Sequence, residues 1–322
     1  MSLMQIFNGS SQDWGDIPAQ LGMTISDKGL LVGKWNNHVE LRGLHTYRMV
    51  RSNTSDHHEE KHYYTELYAL LDPPLLMGLR INEQGALGRA ARKLFGTEDI
   101  EVGYPAFDER FLVKGVDADH VRRLVNGPVG VELLRAAGVH PSLWISDIYA
   151  TTEYSGYERD LGKVRVALEA VGRIGEALLA QRARELAPWE PPLRAAWQNV
   201  ASGWRLTFDP QRARMSGEAH GLPITVGINF ENGRFVTSAR FTLPRPPACE
   251  ISLAPQESDG FFSRLFRGQD IKVGDPAFDS AFIVKGEPEE VVRSVLTPIA
   301  RQRLLAIRSR AGVHLEKGAL YL

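Results

Sequence analysis

Two stretches of the chain place an acid and a base at the same short spacing. Val102 to Gly115 reads VGYPAFDERFLVKG and Val273 to Gly286 reads VGDPAFDSAFIVKG, so Asp108 and Lys114 are answered by Asp279 and Lys285. A carboxylate and an ammonium held close together can serve as general acid and base, or as paired ligand contacts. A third candidate is metal binding. The segment Arg51 to Tyr64, RSNTSDHHEEKHYY, collects His57, His58, Glu59, Glu60 and His62. Imidazole and carboxylate together suit a divalent metal, and His58 and His62 share a face if the segment is helical. The His-Glu-x-x-His spacing of zinc proteases is absent.

Each candidate also has a structural reading, and for the repeated stretch it is the stronger one. Pro105 and Pro276 suit the first position of a short helix, where the missing N–H goes unused, and Phe107 with Phe111, like Phe278 with Phe282, then share one face. Asp108 and Asp279 fall where unpaired helix amides favour a carboxylate. Lys114 and Lys285 close strands and can simply be solvated there. The histidine-rich segment reads equally as a solvated hairpin tip whose charges discourage edge pairing. Arg301, Arg303, Arg308 and Arg310 offer a contact for an acidic partner, or the solvated face of a helix whose leucines point inward. His140 and His314 close the similar phrases AAGVH and RAGVH and read as structural. Trp14, Trp197 and Trp204 sit among apolar positions and read as core.

Stepping outward, Ile100 to Gly115 and Ile271 to Gly286 agree at eleven of sixteen positions under one constant offset, the mark of a tandem duplication. Upstream, Trp14, Ile17, Thr24 and Gly33 answer Trp197, Val200, Thr207 and Gly217 once an insertion in the first copy is allowed for. The expected organisation is a first repeat unit over 1–156, with a hairpin insertion at about 52–62, a linking helix over 157–190, and a second unit over 191–322. Leu161, Val164, Leu168, Val171 and Leu178 recur at helical steps. Gly162, Gly172 and Gly175 weaken that helix alone and call for packing against a body at close approach. Pro188, Pro191 and Pro192 are expected to end it.

In the second copy, residues 224–230 and 235–241 alternate about Asn232-Gly233, which is a hairpin signal, and the tail VHLEKGALYL reads as a closing hairpin. Local hairpins with short helices, and no run of strand and crossover helix, give an α+β fold with mainly antiparallel sheets.

The chain has 322 residues, 43% of them hydrophobic, which is core material for two domains. A formal net charge of −1 gives no bulk attraction to nucleic acid, and no stretch is apolar enough for long enough to span a bilayer. Cys249, the single cysteine, excludes an intrachain disulfide and fits a reducing, cytoplasmic setting. Phosphate loops, dinucleotide fingerprints and the serine-hydrolase elbow are absent.

The phrase Gly-Asp-Pro-Ala-Phe-Asp, followed by AFIVKG and Leu296-Thr297-Pro298, resembles uncharacterised bacterial proteins of unknown function. In the first copy Tyr104 replaces the aspartate and VNGP replaces Leu-Thr-Pro. The resemblance implies a bacterial, cytosolic setting and no activity. The expectation is a non-enzymatic binding or scaffolding protein for a protein or small-molecule partner, with no cofactor. The alternative is a metal-dependent hydrolase with its site at His57, His58, Glu59 and His62.

Overall fold

A computed structural model describes residues 14–51, 59–83, 99–140, 142–231, 234–245, 248–255, 270–306, 313–316 and 319–321. The chain divides into two compact units, one comprising the residues up to Leu193 with Asn229–Val236, the other Arg194–Ile228 with Thr237–Leu322. It is an α+β protein of two antiparallel sheets.

In the first unit the strands are β1 (Thr24–Ile25), β2 (Leu31–Trp35), β3 (Val39–Arg51), β4 (Glu59–Leu70), β5 (Arg80–Glu83), β6 (Phe111–Lys114), β7 (Trp144–Ser146) and β8 (Tyr149–Ser155), paired in the order β1-β2-β3-β4-β8-β7-β5-β6. The second sheet contains β9 (Thr207–Asp209), β10 (Arg214–Ala219), β11 (Leu222–Glu231), β12 (Arg234–Thr242), β13 (Glu250–Pro255), β14 (Phe282–Glu287), β15 (Val313–Glu316) and β16 (Ala319–Tyr321). Read from β9, its order is β9-β10-β11-β12-β16-β15-β13-β14. Both sheets therefore follow one connectivity. Four strands run on as neighbours, two more cross to the far edge, and the last two return to fill the middle.

Short helices occupy matching places: α1 (Ile17–Leu21), α2 (Pro105–Asp108), α3 (Ala118–Leu124) and α4 (Gly130–Ala137) in the first unit, and α7 (Pro276–Ala281), α8 (Glu289–Val295) and α9 (Pro298–Ala306) in the second. Between them come α5 (Leu161–Arg184) and α6 (Glu190–Trp204). Pro191 and Pro192, expected to end the long helix, instead lie in the first turn of α6, where a missing N–H does no harm.

The sequence periodicity finds its partner in α5. The Asp160 side chain caps the helix by accepting the Lys163 amide at 3.0 Å, and Val164, Leu168, Val171, Ile174 and Leu178 are fully buried against the first sheet. Each such side chain contributes about 1.5–3 kcal/mol. The glycines are explained by approach. A Cβ on Gly172 would lie 2.7 Å from the Trp35 ring, and one on Gly175 3.1 Å from Ala69 and Val39. The Trp35 indole then donates to Glu176 at 2.9 Å, locking helix to sheet.

The apolar run ending at Leu79 forms the end of β4 and a buried loop. Asp147 pins that loop by accepting the amides of Met77, Gly78 and Leu79 at 3.0, 2.7 and 3.0 Å. Burial pushes the Asp147 carboxyl up, and the three amides oppose that rise. Among the described residues no helix is long and apolar enough to cross a membrane.

One expectation about the core fails. Trp14 is buried, but Trp197 is only half-buried and Trp204 is 64% exposed. In the first unit α5 and the sheet enclose Trp14, whereas Trp204 ends α6 with no such cover among the described residues.

Candidate functional site

The repeated stretch builds one corner twice. The Asp108 carboxylate accepts the amides of Val102 and Gly103 at 2.8 and 3.0 Å, and Asp279 accepts those of Val273 and Gly274 at 2.9 and 3.0 Å. Gly103 and Gly274 carry φ of 83° and 80°, which a side chain would strain. Phe107 meets Phe111 at 4.6 Å between ring centroids, and Phe278 meets Phe282 at 5.0 Å. The Ile100 amide reaches the Val113 carbonyl at 2.9 Å, and Ile271 reaches Val284 at 2.8 Å.

Pro105 and Pro276 each open their helix. The caps differ: Asp275 accepts the Phe278 amide at 3.2 Å, and Tyr104 supplies no side-chain cap. Lys114 is exposed opposite Arg80 on the edge strand β6, and half-buried Lys285 lies opposite Ser252. The aspartates thus hold their own backbone in place of the unpaired helix amides the sequence suggests.

Of the histidine cluster, His57 and His58 lie outside the described residues, Glu59 begins β4, and His62 pairs with Arg48 across the β3–β4 ladder. Among the described residues no group of three or more His, Cys, Asp or Glu side chains could hold a metal. Arg301 turns inward, with Nη1 3.2 Å from the Val273 carbonyl. His140 is buried with Nδ1 3.0 Å from the Tyr154 hydroxyl, and burial lowers its pKa.

The face of the first sheet turned away from α5 carries a cluster the sequence does not single out. Glu66 on β4 and Glu153 on β8 are direct cross-strand partners, a like-charge pairing that is unfavourable by itself. Arg48 from β3 joins them: Nη2 lies 2.8 Å from Glu66 and also contacts Glu153, and Nη1 lies 3.4 Å from Glu153. The Tyr64 ring sits 4.5 Å below the guanidinium. The Tyr68 hydroxyl donates to Glu66, and burial followed by that carboxylate raises its pKa. Tyr68 leads edge-to-face to Tyr149 at 5.4 Å and from there to Trp144 at 5.8 Å. Trp144 is 45% exposed and the Arg48 side chain 53%.

Both oxygens of Glu66 are engaged, one by Arg48 and the other by the Tyr68 hydroxyl. Tyrosine, tryptophan and arginine are side chains enriched where proteins contact one another. The signal available in sequence was Glu66 and Tyr68 alternating within the apolar strand YTELYALL. Arg48 and Glu153 come from other strands, and only the sheet order brings them in. In the second sheet, β11 and β12 hold a single carboxylate, Glu231.

A small pocket in the first unit lies beside His120, Gln181, Arg182 and Glu185, with room for a water-sized guest. Its charges are committed to one another. Arg182 holds Glu190 at 2.5 and 3.0 Å and the Leu75 carbonyl at 3.2 Å. Arg123 holds Glu185 at 2.8 Å and keeps that carboxyl below its usual range.

Against known proteins, the result is negative. No family model, curated protein or solved structure matches the chain.

Proposed function

We propose that the chain is a non-enzymatic binding or scaffolding protein, built by tandem duplication of one α+β unit. The supporting observation is the repeated corner. Of the polar pairs present in both copies, Asp108 and Asp279 are used in matching ways to hold backbone amides, which favours duplication of scaffold. The shared strand order of the two sheets supports the same reading. The surface that differs between the copies, the Arg48, Tyr64, Glu66 and Trp144 face, has the composition of a protein-contact patch.

A panel of esters, phosphomonoesters and peptides, assayed with and without added zinc and manganese, tests this reading. No turnover is expected. Turnover that scales with protein and disappears in His62→Ala or Glu66→Gln would overturn it and restore the hydrolase alternative.

A further inference from the structure

We infer that the face of the first sheet around Arg80, Lys114 and Trp144 binds an acidic segment of a partner protein, an inference that rests on the binding reading above and names the partner's chemistry. Arg80 on β5 and Lys114 on the edge strand β6 are direct cross-strand partners, and Ser146 on β7 lies opposite Arg80 on its other side. The two cations share one face of the sheet, because the alternate residues Ile81, Val113 and Ile145 fill the core at 0% exposure. Like charges with Cβ atoms about 5 Å apart repel each other and cost stability. The sheet holds another pair of this kind, Glu66 opposite Glu153, and there Arg48 from the same chain closes it. The cations have no such closure. Both are exposed, and among the described residues neither takes part in a hydrogen bond or ion pair. The repeated stretch supplies the contrast. Lys285, the counterpart of Lys114, lies opposite the buried Ser252, so of the two copies the first alone sets cation against cation at this place.

The neighbours of the pair narrow the partner further. Trp144 is the diagonal neighbour of Arg80 across β5–β7, a separation of about 7–8 Å. It is 45% exposed and backed by the Tyr149 ring at 5.8 Å. Asn82, directly opposite Trp144, is exposed as well. Burial and the Glu66 charge raise the Tyr149 pKa while Arg80 pulls it down, which puts the guanidinium charge within range of the Tyr149–Trp144 pair. A guanidinium fork takes a carboxylate through two parallel hydrogen bonds, and an ammonium takes a second acid from a wider range of directions. The indole beside them covers an apolar side chain. The ligand that fits is therefore an extended acidic stretch in which paired carboxylates are followed by an apolar residue. Glu66 and Glu153, further along the same face, disfavour a long polyanion such as single-stranded nucleic acid.

The probe is a fluorescein-labelled synthetic peptide in which glutamate pairs alternate with leucine, added to the intact chain and read by fluorescence anisotropy at low and at physiological salt. Expected are saturable binding at low salt, a loss of about tenfold at physiological salt, and no binding of the same peptide with glutamine in place of glutamate. Arg80→Glu and Lys114→Glu are each expected to weaken binding by at least about tenfold, and Trp144→Ala by about fivefold. Lys28→Glu, at an exposed lysine in the turn before β2, makes the same change of net charge and is expected to leave binding unaltered. All four side chains are exposed, so unchanged circular dichroism and melting should accompany these results. Absence of saturable binding at low salt, an equal loss in Lys28→Glu, or equal binding of the glutamine peptide would overturn the site. A single-stranded oligothymidylate or inorganic phosphate that binds more tightly than the peptide and is lost in the same variants would also overturn it, by making nucleic acid or free phosphate the occupant. Turnover in the substrate panel, by contrast, would overturn the binding reading whatever the peptide does.

Discussion

His45 is wholly buried in the first unit, stacked on Trp14 at 3.9 Å and 5.0 Å from Tyr157, and among the described residues neither ring nitrogen has a well-formed hydrogen bond. Burial lowers its pKa to about 4; the nearby Glu158 backbone offsets part of that drop, and the Arg159 charge adds to it. The folded state therefore binds the proton less well than the unfolded chain. Stability is fully present above the unfolded value near 6.5 and is lost as pH falls toward 4. Urea unfolding should show a loss of about 2 kcal/mol from this group between about pH 7 and about pH 4.5. His45→Leu should lack that part of the loss, and an equal loss in both proteins would contradict the assignment. The repeated aspartates make a second residue-level prediction. Asp108→Ala and Asp279→Ala each leave two amides without their acceptor and should destabilise by about 1–3 kcal/mol, whereas Lys114→Ala should stay within about 0.5 kcal/mol. A destabilisation in only one copy, or a large effect at Lys114, would count against a shared structural role.

Among the elements, α5 was readable because its apolar residues recur at helical steps, and its glycines already asked for close approach. That Trp35 and Ala69 supply the surface was not readable, since they arrive from separate strands. Gly172→Leu should drive a side chain into the Trp35 ring and cost about 1–3 kcal/mol in thermal or urea unfolding. Gly203→Ala, whose Cβ would meet nothing within 4 Å, should instead stabilise α6 by up to about 1 kcal/mol. The Arg48 cluster also spans three strands. Arg48→Met should cost about 1 kcal/mol at low salt, given the half-exposed guanidinium, and Glu153→Gln in the same chain should recover most of it. Equal costs with and without Glu153→Gln in a double-mutant cycle would show that the arginine does not relieve the paired carboxylates. Trp204 was misread because apolar spacing on a helix is the same whether the face is covered or open.

Over the whole molecule, the hairpins, the short proline-led helices and the α+β class followed from alternation and turn residues. The strand order did not, because the return of β7 and β8 to the middle of the sheet is set by long-range pairing that leaves no local pattern. The central claim is that this chain binds and does not carry out metal-dependent chemistry. Native mass spectrometry of the intact chain, purified without a metal-affinity resin, tests it most directly. The account predicts a protein mass with no stoichiometric metal, unchanged by chelator and by His62→Ala. One metal ion per chain, removed by chelator and lost in His62→Ala, would contradict it.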